Sequence, residues 1–75
     1  MNKERRKKLK EVNDYIEKAK IILEAIKEEE EDSYENMTEG LQATARGEQM
    51  ENNISEMEDA IEGIMGVLEN LELVD

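Results

Sequence analysis

The sequence predicts an all-α protein: an antiparallel two-helix hairpin, coiled-coil-like, that dimerises into a four-helix bundle. Three observations predict it. Apolar residues recur in alternating steps of three and four along two long stretches, Leu9 to Ile26 and Met50 to Leu71. The 75 residues include no proline and only two aromatic side chains, Tyr15 and Tyr34, while 41% are Asp, Glu, Lys or Arg, the balance of a helical hairpin rather than a sheet. A disordered acidic chain would scatter its apolar residues instead of spacing them helically.

The first helix is expected over residues 3–36, with Leu9, Val12, Ile16, Ala19, Leu23 and Ile26 as its a/d seam. A turn over about residues 37–43 follows, signalled by an acidic run, by Gly40, and by Thr38, which can cap a short turn through Leu41. Thr44 can cap the second helix, expected over residues 44–73, whose seam is Met50, Ile54, Met57, Ile61, Ile64, Leu68 and Leu71. The whole chain, 1–75, is one helical hairpin domain.

A short connection centred on Gly40 makes the helices antiparallel neighbours whose facing residue numbers total about 80. Leu9 then meets Leu71, Val12 meets Leu68, Ile16 meets Ile64, and the layers continue to Ile26 against Ile54. A slip of one heptad would also align apolar residues, so the flanking charges decide. This register opposes Arg6 to Glu72, Lys20 to Glu58 and Lys27 to Glu51, pairs worth roughly 0.2–1 kcal/mol each that select orientation more than they stabilise. The other edge opposes Tyr15 to Val67 and Ile22 to Ala60, with Ala25 and Gly63 beside them. These six residues are the expected dimer face, because a chain this short buries little surface alone and a second copy would cover them. Gly63 costs about 1 kcal/mol inside a helix relative to alanine, which close approach at a dimer contact would offset; the alternative is a tolerated defect.

Net charge is −11, unevenly spread. Lys3, Arg5, Arg6, Lys7, Lys8 and Lys10 stand against Glu4 alone, a cluster able to grip phosphates. Nucleic-acid binding is disfavoured, because the hairpin lays this cluster beside Glu69, Glu72 and Asp75 and no aromatic residues interleave with it. Glu28, Glu29, Glu30, Glu31, Asp32, Glu35 and Glu39 gather toward the turn as an acidic pole, repelling one another and opposing the helix dipole. The pole is read either as a solvated face or as a docking site for a basic protein surface.

Catalysis is not expected. Cysteine and histidine are absent, Ser33 and Ser55 have no base to activate them, and a two-helix hairpin offers no cleft for paired carboxylates. No cofactor and no specific metal site are expected either, since Asp32 to Glu39 lacks the ligand spacing of a helix-loop-helix calcium site. Met50 and Met57 fill d positions, leaving Met37 and Met65 free. The basic start leads into charged helix rather than an apolar stretch, so no signal peptide or membrane contact is expected and the protein is read as cytoplasmic.

The string Glu35-Asn36-Met37-Thr38-Glu39-Gly40-Leu41-Gln42, followed by Arg46-Gly47-Glu48 and Met50-Glu51, resembles small uncharacterised helical-hairpin proteins of phages and prophages of Gram-positive bacteria. The likeness covers most of the chain. Those proteins often carry proline where this chain has Thr38 and serine where it has Gly40, so the resemblance implies a looser turn here. It carries no catalytic residues. It implies a mobile-element accessory protein in the host cytoplasm, acting by protein–protein interaction, for example as an inhibitor of host machinery or defence through its acidic surface. The alternatives are a structural or oligomerisation module with no separate partner site, and nucleic-acid binding through Lys3 to Lys10.

Overall fold

A computed structural model describes residues 1–75, all-helical and without strands: α1 spans Lys3–Glu35, α2 is a single turn, Glu39–Gln42, and α3 spans Ala45–Glu72. Each start is capped as its residues dictate. Asn2 Oδ1 accepts the Arg5 amide at 2.8 Å, Thr38 Oγ1 that of Leu41 at 3.3 Å, and Thr44 Oγ1 that of Gly47 at 3.4 Å. At the end of α1, the Tyr34 carbonyl would lack an intrahelical partner. It accepts instead from the Met37 amide at 3.1 Å and from Gln42 Nε2 at 2.9 Å, which ties α2 to the helix it follows.

α1 and α3 pack antiparallel along a rod measuring 58 × 15 × 13 Å. The register differs from the expected one. Lys27 reaches Glu58, Tyr34 reaches Glu51 and Asn53 reaches Glu30, so facing numbers total 85, 85 and 83 rather than 80. The helices are therefore offset by about one turn. The expected ion pairs of Arg6 with Glu72, Lys20 with Glu58 and Lys27 with Glu51 do not form, and Lys27 holds both salt bridges in the chain, at 3.2 Å to Glu31 and 3.4 Å to Glu58.

The cause lies in the connection. α2 folds back across the first turn of α3, so α3 begins beyond the end of α1 and the pivot moves from Gly40 toward residue 42. Gly47 permits this: it is buried, and a Cβ there would sit 2.1 Å from the Gln42 carbonyl oxygen. At the opposite end the same offset carries the first two turns of α1 past the last turn of α3. Residues 1–8 are all exposed.

Seen from α3 the expected seam is present: Met50 and Leu68 are buried, and Ile54, Met57, Ile61, Ile64 and Leu71 are half-buried. Seen from α1 the seam is rotated. The half-buried positions are Leu9, Asn13, Ile16, Lys20, Leu23, Lys27, Glu30 and Tyr34, again in steps of three and four, with Glu31 beside Glu30, whereas Val12, Ala19 and Ile26 are exposed. Val12 does not face Leu68; the observed register brings Ile16 to it. Asn13, Lys20, Lys27 and Tyr34 thus stand at every second seam position of α1, and Lys27 and Tyr34 turn their polar heads to one edge, toward Glu58 and Glu51.

Candidate interaction surfaces

The rotation of α1 opens one edge of the hairpin. With the seam on Leu9, Ile16 and Leu23, the flanking stripe of α1 is Val12, Ala19 and Ile26, and the matching stripe of α3 is Ala60 and Val67. Tyr15 and Ile22 on α1 and Gly63 on α3 extend the stripe outward, and every one of these eight residues is exposed. Val12 is 45%, Ile26 49% and Tyr15 73% exposed, against two buried hydrophobic residues in the entire chain. The surface is wider than expected, because Val12, Ala19 and Ile26 belong to it and not to the core. Of the six expected dimer-face residues, Tyr15, Ile22, Ala60, Gly63 and Val67 share this face. Ala25 turns furthest from α3 and reaches only its margin. Inside the hairpin a Cβ at Gly63 meets nothing within 4 Å, so no close approach within the chain explains that glycine.

The opposite edge is polar. Lys27 Nζ lies between Glu31 and Glu58; the hydrogen bond to Glu31 is the largest influence and, with the charge of Glu31 and the hydrogen bond and charge of Glu58, raises its pKa above the usual 10.5 against an opposing desolvation that ranks second. The Tyr34 hydroxyl donates to Glu51, and that bond, with partial burial and the carboxylate charge, raises its pKa above 10.0. Both shifts are upward, so each interaction contributes fully below the unfolded value and is lost as pH rises through the folded one. The thermal midpoint is therefore expected to fall above about pH 10, and to fall less in a Lys27→Met, Tyr34→Phe chain, with circular dichroism melts at pH 8 and pH 11 as the measurement. Equal alkaline losses in the two chains would remove this role. Tyr34 was not legible as a seam residue from the apolar pattern; its heptad spacing from Lys20 and Lys27 is the signal that marks it.

The acidic residues collect in the turn half of the rod. Glu30 is held by Asn53 Nδ2 at 3.1 Å and Glu31 by Lys27, while Glu28, Glu29, Asp32, Glu35 and Glu39 are exposed and make no ion pair or side-chain hydrogen bond. Arg46 is the one basic residue between positions 28 and 51, which hold nine acidic ones. At the other end Arg6 and Lys10 share a shallow groove with Leu9, Leu71, Glu72 and Asp75, without ion pairing. Lys3, Arg5, Lys7 and Lys8 are exposed outside its lining and form no ion pair. The expected neutralisation of the basic cluster by the end of α3 is thus incomplete, because the offset moves most of it past that helix.

No group of three or more Asp, Glu, His or Cys is placed to hold a metal ion, and no helix is long and apolar enough to cross a membrane. Fold and surface together define a helical hairpin with one polar edge, one open apolar edge and oppositely charged ends. Comparison with protein-family models, curated proteins and solved structures found no match.

Proposed function

We propose that the protein is a non-enzymatic accessory protein that works by protein–protein contact, its acidic turn end engaging a basic surface of another protein and its acting unit being a pair of hairpins. The observation that carries the reading is the imbalance of surface: eleven large hydrophobic side chains are exposed and two are buried, so the chain is built to be covered by protein. Five unpaired carboxylates at one end supply a field that would steer a basic partner and make its binding sensitive to salt. The resemblance to phage and prophage proteins supports a setting in which such binding blocks host machinery, in the host cytoplasm.

The test is capture from source-cell lysate at low and high salt, with the native chain beside a Glu28→Lys, Glu29→Lys, Asp32→Lys chain. The expected result is a protein retained by the native chain at low salt, released at high salt and absent from the reversed chain. A partner retained equally by both chains would refute the acidic pole as the contact. Bound nucleic acid in place of a protein would shift the reading to the basic end of α1.

A further inference from the structure

The open apolar face carries its own instructions for what covers it. Ala19, in the middle of its α1 stripe, is also the midpoint of α1, which runs from Lys3 to Glu35. A two-fold axis crossing the rod at Ala19, in the plane of the face, would lay α1 antiparallel on α1 of a second copy. Each α1 residue would then come level with the one as far beyond Ala19 as it lies before it. Val12 would meet Ile26, and Ala19 would meet Ala19, so the apolar stripe matches itself, as a self-complementary two-fold interface requires.

The charges do the opposite under the same operation. On the side of α1 that bears this stripe, Arg5 and Lys8 stand at one end and Glu29 and Glu30 at the other, and the operation brings Lys8 level with Glu30: the charge changes sign about the centre. A parallel pair would instead stack the two acidic ends on each other. On α3, the observed register puts residue 65 level with Ala19, so Gly63 of one copy comes level with Val67 of the other. That glycine, open within 4 Å in the single hairpin, then has a neighbour to admit.

We infer that a second copy of this chain docks head-to-tail on the face of Val12, Ala19, Ile26, Gly63 and Val67, the overhanging basic start of each α1 lying against the acidic half of the other. The inference rests on the paired-hairpin reading above and adds its orientation. The resulting four-helix bundle would carry one acidic turn at each end, still in excess over the basic residues beside it.

The natural absence of cysteine makes the orientation measurable. Arg5 and Ser33 lie on the same stripe as Ala19, equally far to either side of it. Sedimentation equilibrium is expected to give twice the 8.7 kDa chain mass, and Ile22→Lys is expected to lose that doubling. A short bismaleimide linker should join Arg5→Cys chains to Ser33→Cys chains in a mixture and leave each variant alone uncoupled. Linkage of each variant to itself, and not across the mixture, would overturn the head-to-tail order while leaving the pair intact. A native chain of single mass at every concentration would overturn both the pair and its order. Neither outcome touches the acidic-pole test, which reads capture of a different protein.

Discussion

Gly47→Ala is expected to unfasten the turn. The added Cβ would lie 2.1 Å from the Gln42 carbonyl oxygen and 2.6 Å from its Cα, all main-chain atoms that cannot rotate aside. Either α2 lifts from α3, breaking the Gln42 hydrogen bond to the Tyr34 carbonyl, or α3 tilts and opens the seam. Overpacking of this kind costs roughly 1–3 kcal/mol and occasionally more, and it outweighs the gain of about 1 kcal/mol that alanine brings to a helix interior. Gly66→Ala is the matching control: nothing lies within 4 Å of its Cβ position, so only the propensity gain applies there. Thermal unfolding of the two variants should move in opposite directions from the native chain. Equal stabilisation by both would show that α2 does not pack where the structure places it.

Leu68→Ala should come close to abolishing the hairpin. Leu68 is 9% exposed, level with Met50 as the best-covered hydrophobic residue, and truncating a buried leucine costs roughly 2–5 kcal/mol. A small domain has a total stability near the lower end of about 5–15 kcal/mol, so one such loss is a large share of it. The variant also decides the register. In the observed offset Ile16 faces Leu68, so Ile16→Ala and Leu68→Ala should be strongly non-additive when combined. Val12→Ala, at a position 45% exposed, should cost only roughly 0.5 kcal/mol in the dilute single chain and add to Leu68→Ala without coupling. Coupling of Val12 rather than Ile16 to Leu68 would restore the register in which facing numbers total 80.

The contrast between those two residues shows what periodicity reports. On α3 the apolar residues form one narrow stripe, and the seam read from Met50 to Leu71 is the seam observed. On α1 they cover a wider arc, with Tyr15 and Ile22 adjoining Val12, Ala19 and Ile26, and spacing alone locates the middle of such an arc. α3 occupies one edge of it. The middle of the arc therefore became the expected core, although its stripe of Val12, Ala19 and Ile26 is exposed. The caps at Thr38 and Thr44 were legible because they depend on residues three positions away. The register was not, because it follows from how α2 lies on Gly47, a contact between backbones that leaves no periodic trace. The acidic and basic ends could be read directly, since charge needs no register. Their separation by an overhang could not.

The alternation of Asn13, Lys20, Lys27 and Tyr34 with Leu9, Ile16 and Leu23 along one side of the joint has a calorimetric consequence. Unfolding a rod whose contact is half amphipathic releases little oily area to water, and that area sets the heat-capacity increment. For the single hairpin the increment should fall below the usual 12–15 cal/mol/K per residue, leaving a stability curve that is low, flat and broad instead of a sharp dome. Cooling would then weaken such a rod only slightly, while warming would melt it over a broad range of temperature.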